Sequence, residues 1–265
     1  MKKKQGLSEE IATEKNARFM RKLKTYMPSI KEYFTTPKNR IKTGIDGLDE
    51  LVEGGYLPRS VVLVSGKTGT GKTIFCSQFL YNGIIKYGEN GLFVSTEETA
   101  ADLLNDMKVS FGWDFLKLIK ENKFRVLQLE PEMMNKLPQL MRAMTREIGA
   151  RRLVIDSASM FGLYLGDAYR TRKEFHKLLR EAKKLGLTTI VTEEVLEESK
   201  GLSRFGVVEF IADGVISLMY IGLARKYKRA VLIRKMRRTD HSDRIHPIEI
   251  TDNGMRIIKL TGGET

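Results

Sequence analysis

The run Ser65-Gly66-Lys67-Thr68-Gly69-Thr70-Gly71-Lys72-Thr73 carries the spacing G-x-x-x-x-G-K-[ST], which suits the binding of polyphosphate. Backbone N–H groups of a glycine-rich turn wrap phosphate oxygens at a helix N-terminus, Lys72 reaches the outer phosphates, and Thr73 offers its hydroxyl to magnesium. Gly66, Gly69, Thr70 and Gly71 supply the turn, and Ile74 continues it into a helix. Hydrolysis of a phosphoanhydride also needs a second group on the metal side, a base for water, and a cation for the developing charge. Leu153-Val154-Ile155-Asp156 is an apolar strand ending in a carboxylate, which places Asp156 to hold a magnesium-bound water beside Thr73. Glu97 and Glu98 follow another apolar run and emerge at the same edge. Either can polarise the attacking water, with Lys72 completing the catalytic set, or both can satisfy the dipole of a helix whose first turn they open. Two adjacent carboxylates repel, which lifts one pKa. Thr192 is a further candidate for sensing the terminal phosphate, while Glu193 and Glu194 read as surface carboxylates. The chemistry implies ATP with Mg2+ as its cofactor.

The elements that must position these groups alternate. Strand-like runs at 61–65, 92–95, 124–129, 153–155 and 188–191 are separated by helical ones at 74–87, 100–111, 139–148 and 169–185, the signature of a parallel sheet covered by helices. After Gly206 the pattern changes to short runs at 214–220, 230–236, 247–250 and 256–259, which predict antiparallel strands finishing a mostly parallel α/β sheet. The division expected is a basic amphipathic extension over 1–40, a catalytic domain over 41–260, and a flexible tail over 261–265.

The 265 residues are 42% apolar, enough for one sizeable core. No apolar run approaches the roughly 20 residues that cross a bilayer, and the N-terminus leads into Glu9 and Glu10 rather than an apolar signal core, so the chain reads as soluble and cytoplasmic. The single cysteine, Cys76, reads as a small buried hydrophobe, and His176, His241 and His246 form no metal set. Of the net charge of +13, about +8 precedes Thr43. There Ile11, Phe19, Met20, Leu23, Tyr26, Met27, Ile30 and Phe34 recur at helical spacing. Such an arm can pack on its own core or a neighbouring copy, dock a protein, or meet nucleic acid or a membrane surface. A second basic patch, Arg234-Lys235-Met236-Arg237-Arg238 with Arg225, Lys226, Lys228 and Arg229 across a hairpin, allows three readings: an edge strand protected by charge, a nucleic-acid surface, or cationic fingers for a neighbouring copy's phosphate.

Further runs resemble one family. Thr43-Gly44-Ile45-Asp46-Gly47-Leu48-Asp49 with Gly54-Gly55, Phe79-Leu80-Tyr81-Asn82-Gly83, Glu97-Glu98-Thr99, Ser110-Phe111-Gly112-Trp113-Asp114, Arg204-Phe205-Gly206 with Glu209-Phe210, Lys235-Met236-Arg237 with Thr239 and His241, and Ile250-Thr251-Asp252-Asn253-Gly254 are similar to the KaiC-like branch of the RecA/RadA superfamily of P-loop ATPases. The resemblance runs from about Arg40 to about Ile258. It implies a RecA-like fold and a homo-hexameric ring with ATP at each interface. Gly69 to Ile74 would lie on one side, Lys235, Met236, Arg237, Thr239, His241, Thr251 and Asp252 on the adjacent copy, and Ser110 would be a further nucleotide contact. It also implies Glu97 as the base with Glu98 assisting. The function expected is a slow ATPase acting as a nucleotide-dependent switch on a protein partner. The alternatives are a RadA-paralogue DNA-binding ATPase, using the basic arm, and a membrane-surface ATPase or autokinase. The loops flanking the channel in recombinases carry almost no net charge here, which weighs against DNA. Glu209-Phe210 stands where an autophosphorylated pair would be, which weighs against the autokinase. Arg238 replaces an expected glycine.

Overall fold

The computed structural model describes residues 39–196, 201, 207–222 and 228–259. The expected amphipathic arm as far as Lys38, the tail, Arg204-Phe205-Gly206, Arg225 and Lys226 lie outside them. The core is one nine-stranded sheet in the order β3-β2-β4-β5-β1-β6-β7-β8-β9. Its strands are β1 (Val61–Gly66), β2 (Gly91–Ser95), β3 (Phe124–Gln128), β4 (Arg152–Asp156), β5 (Thr188–Glu194), β6 (Gly214–Tyr220), β7 (Arg229–Met236), β8 (Ile245–Thr251) and β9 (Gly254–Ile257). The first six are parallel and the last three antiparallel. The expectation that antiparallel strands begin at 214 is corrected: β6 pairs parallel with β1, Val62 opposite Gly214 through Gly66 opposite Leu218. The reason is the length of chain between β5 and β6, which allows a crossover past β1, whereas the later links are too short for one.

The helices are α1 (Leu48–Leu51), α2 (Lys72–Tyr87), α3 (Ala100–Phe111), α4 (Phe115–Lys120), α5 (Leu137–Ile148), α6 (Ala158–Leu165), α7 (Ala168–Lys184) and α8 (Val208–Ile211), with a 3-10 turn at Pro131–Lys136. Strands β1, β2 and β5 are buried on both faces or nearly so, which is why they read as unbroken Val/Ile/Leu runs rather than alternating ones. One apolar cluster joins α2, α3 and α4 to one face of the sheet, and a second joins α5, α6 and α7 to the other.

Two features lock α2, the helix that the phosphate loop opens, to its surroundings. Asn82 Nδ2 donates to Gly44 O at 2.6 Å. Gln78 donates to Met255 O at 2.8 Å and accepts from Met255 N at 2.6 Å, so its amide stands in for a neighbouring strand at the outer side of β9. Gly83, in the same helix, leaves room for the fully buried Arg152. A Cβ there would lie 2.3 Å from its Nε and 2.5 Å from its Cζ. The guanidinium pairs with Glu89 at 2.5 Å, donates to Phe79 O at 2.8 Å and lies 4.5 Å from the Phe79 ring centroid. The Phe79-to-Gly83 run is thus a packing device around one buried charge.

Candidate active site

The parallel strands deliver their carboxyl ends to one edge, and the phosphate loop leaves β1 there. Lys72 folds back over the loop, donating from Nζ to Gly66 O at 3.0 Å and Lys67 O at 3.1 Å. Thr70 is fully buried and its hydroxyl donates to Lys67 O at 2.8 Å. On the outside, Thr68 donates to Glu194 Oε1 at 2.9 Å. Ile74 packs against the core.

The first turn of α2 and two strands, β4 and β5, contribute the metal side. Thr73 Oγ1 donates to Asp156 Oδ2 at 2.9 Å, and the Thr192 hydroxyl donates to the other carboxyl oxygen. Burial pushes the Asp156 carboxyl above its usual range, and the bonds from Thr192 and Thr73, with the nearby Lys72 charge, pull the other way. A hydroxyl and a carboxylate side by side, both hard oxygen donors, beside a phosphate loop fit a magnesium ion carrying ATP phosphates. Thr73 and Asp156 would hold the ion, which when bound would neutralise charge gathering on the phosphate oxygens.

Thr99 caps α3 by accepting from Asp102 N, so the acid in the first turn of that helix is Asp102. Glu97 and Glu98 therefore precede the helix, and the reading of them as first-turn residues is corrected. The two differ in surroundings. Glu97 accepts a short hydrogen bond from the Ser157 hydroxyl, next in sequence to Asp156. Thr96 fastens this junction: its N–H donates to Asp156 O at 2.9 Å, while its hydroxyl donates to Ser157 O and accepts from Ser157 N, each at 2.9 Å. Glu98 is held by its main chain to Ser95 Oγ. Partial burial, then Asp156, Asp106, Glu97 and Asp102, push its carboxyl pKa up. Ser157 was not singled out from the sequence, because only proximity across β2 and β4 links it to Glu97. Glu193 is buried, 1% exposed, because β5 runs on to Glu194; its reading as a surface carboxylate is corrected.

The remaining candidates divide between the two ends of the sheet. β7 lies between β6 and β8, but β8 pairs only with Arg229 to Leu232, so the edge-strand reading is corrected at Arg229 and not at Arg234 to Met236, which run beside β6 alone. Gly214 pairs with Met236 and, on the other side, with Val62. Lys235, Met236 and Arg237 therefore sit level with the start of β1, about 13 Å along the strand from Gly66. Lys235 donates to Glu209 O and Ala212 O at 3.0 and 2.7 Å, and burial, then the Arg237 charge, lowers its pKa. Arg237 lies 3.6 Å from Asp213 and is half exposed. Met236 is buried in the core. Arg238 takes a left-handed conformation, φ 55°, where the resemblance expects glycine. Thr239 accepts from Arg40 at 3.0 Å, and His241 follows on the same turn.

Thr251 and Asp252 stand elsewhere. They form the β8–β9 turn, whose flanking Ile250 and Met255 lie 3.4 and 2.9 Å from where a Cβ of Gly71 would be. Thr251 and Asp252 therefore stand near the phosphate loop of their own chain, apart from Lys235, Met236, Arg237, Thr239 and His241, because the β8–β9 hairpin curls onto α2. Ser110 is exposed on the last turn of α3. Just beyond it, Trp113 stacks on Phe111 and Tyr81 and lies against Gly254. Among the described residues no helix is long and apolar enough to cross a membrane.

The arrangement agrees with comparisons to known proteins. The family model described as "ATPase: KaiC" matches residues 41–262. The circadian clock oscillator protein KaiC of Synechococcus elongatus is 37% identical over 83% of this chain, but the match spans only 44% of that protein. UPF0273 protein MJ1359 of Methanocaldococcus jannaschii is 36% identical over 83% of this chain and 99% of its own length. The crystal structure of KaiC-like protein PH0186 from Pyrococcus horikoshii OT3 superposes with TM-score 0.77 at 43% identity, covering 84% of this chain and all of that one. The chain thus spans less than half of that clock protein and nearly the whole of the single-domain relatives. The family model, the single-domain relative and the superposed structure agree on one KaiC domain with a RecA-like sheet, and the chain belongs to the KaiC family of P-loop ATPases.

Proposed function

We propose that the chain binds ATP with Mg2+ and hydrolyses it slowly within a ring of its own copies, the nucleotide state governing a protein partner. The observation that carries the ATPase part is the junction of β1, β2, β4 and β5. Lys72 lies over the phosphate loop, Asp156 accepts from both Thr73 and Thr192, and Glu97 is fastened through Ser157 directly beside Asp156. Glu97, held as a hydrogen-bond acceptor, is the water-activating base, and Glu98 assists it. The ring rests on the spacing of the two half-sites. Lys235 and Arg237 cannot reach the phosphate loop of their own chain along the sheet, so the cation for the transition state comes from a neighbouring copy. Thr239 and His241 lie on the turn just beyond them and complete that face, with the main chain of Met236. Ser110, Thr251 and Asp252 serve nucleotide on the phosphate-loop side.

The experiment is Mg2+-dependent ATP turnover at about 0.15 M salt, with and without single-stranded DNA. Slow turnover indifferent to DNA is expected, with Lys72→Ala losing ATP binding and Glu97→Gln keeping it without turnover. Tight ATP binding by Lys72→Ala would discredit the cradle. Full activity in Glu97→Gln would leave that residue without a catalytic role, and strong stimulation by DNA would put a recombinase-like activity in place of the protein switch.

A further inference from the structure

The outer wall of the phosphate loop carries a contact that takes no part in the chemistry above. Arg229 donates from both Nε and Nη2 to the carbonyl oxygen of Gly69, each at 3.1 Å. Its guanidinium lies 5.4 Å from the centroid of the Tyr220 ring. Tyr220 ends β6, Arg229 begins β7, and the two are register partners, so the contact sits where the chain leaves and rejoins the sheet. Gly69 has φ 77°, and a Cβ on it would stand 2.6 Å from the Tyr220 hydroxyl. Only glycine lets the loop backbone lie this close to the pair.

A trans peptide is a rigid plane in which the carbonyl and the following N–H point in opposite directions. Fixing the Gly69 carbonyl outward therefore turns the Thr70 N–H inward. There it meets the Lys67 carbonyl at 3.4 Å, a length at which a hydrogen bond is weak. That N–H is one of the donors a phosphate loop turns toward its ligand. We propose that Arg229 is a positioning residue for the phosphate loop: its two-pronged grip on Gly69 O holds the Gly69–Thr70 peptide with the Thr70 N–H aimed at bound phosphate, tying the β6–β7 connection to nucleotide affinity. The inference rests on the reading of this loop as an ATP site.

A backbone donor to phosphate serves bound ATP and ADP alike and changes little as the terminal bond breaks, so losing it raises Kd and KM and leaves kcat nearly as it was. The fork also matters beyond charge. Lysine keeps the charge but not two coplanar N–H groups for one acceptor.

The test titrates the full chain with N-methylanthraniloyl ATP and ADP in the presence of Mg2+, alongside steady-state turnover and thermal melting. Wild-type protein that binds neither nucleotide overturns the ATP reading and this inference with it. With wild-type binding in hand, Arg229→Ala is expected to weaken both nucleotides about tenfold, with kcat within about twofold. Arg229→Lys is expected to recover less than half of that loss on a logarithmic scale. Unchanged affinity in a folded Arg229→Ala protein would make the contact merely structural, and full recovery by lysine would assign the effect to charge; either result overturns the inference. If Arg229→Ala melts below the assay temperature, Arg229→Gln carries the same test, weakened binding supporting it and wild-type binding overturning it.

Discussion

Gly83→Ala sets two physical effects of opposite sign against each other. In the interior of a helix the change should stabilise by about 1 kcal/mol through helix propensity alone. Here the added methyl would stand 2.3 to 2.5 Å from Nε, Cδ and Cζ of Arg152, so the guanidinium must move. Overpacking of this kind costs about 1 to 3 kcal/mol. A guanidinium pushed off Glu89, the Phe79 carbonyl and the Phe79 ring adds part of the roughly 3 to 5 kcal/mol lost when a buried pair is broken. The steric side wins, and the net expectation is a loss of about 2 to 3 kcal/mol. For a domain of this size that is a fall in Tm of roughly 5 to 10 °C, read by circular dichroism melting and urea titration. Arg152→Met in the Gly83→Ala background should then lower stability by less than it does alone, with a coupling of about 2 kcal/mol in a double-mutant cycle. A Tm that rises in Gly83→Ala, or strict additivity with Arg152→Met, would refute the account of this glycine as room for a buried charge.

Mixing inactive Lys72→Ala with inactive Arg237→Ala protein should restore some ATP turnover in hybrid sites; no recovery in demonstrably mixed assemblies would refute a cation supplied between copies. The Glu98 pKa is raised in the folded state, so the folded chain binds this proton more tightly than the unfolded one. The stabilisation that follows is complete below the unfolded pKa and disappears as pH rises through the folded value. Glu98→Gln should therefore be more stable than wild type at neutral pH, with the advantage fading as pH falls toward 4.5; an equal advantage at all pH values would refute the cause assigned. Arg238→Gly should relieve the left-handed backbone at φ 55° and stabilise by up to about 1 kcal/mol, measured by urea unfolding, and a loss of stability would show that the Arg238 side chain outweighs the strain.

The phosphate loop and the strand ending in Asp156 were legible because their meaning lies in consecutive residues. The parallel order of the first five strands was legible because it lies in alternation. The direction of β6 was not, since 214–220 has the same apolar run whichever way it pairs, and only the crossover past β1 decides. The surroundings of Glu97 and Glu98 could not be told apart by reading: Thr99 caps the helix after both, and Ser157, which donates to Glu97, is 60 residues from it. The position of Thr251 and Asp252 beside their own phosphate loop was hidden for the same reason, because it depends on Gln78 meeting Met255 across 177 residues. Arg229 read as one cation among several until the register set it beside Gly69.

The amide of Gln78 bears on how copies of this chain can meet. β9 ends the sheet, and an end strand normally shows a row of unpaired backbone groups on which another chain can build. Here Met255 spends its outward N–H and C=O on Gln78, and Ile257 spends its outward N–H on Asp46. A visiting strand would have to evict a buried side chain and the Gly44–Asp46 segment before forming its first bond. At this border the sheet is closed to growth, and copies that associate here must do so through the shape and charge of their side chains.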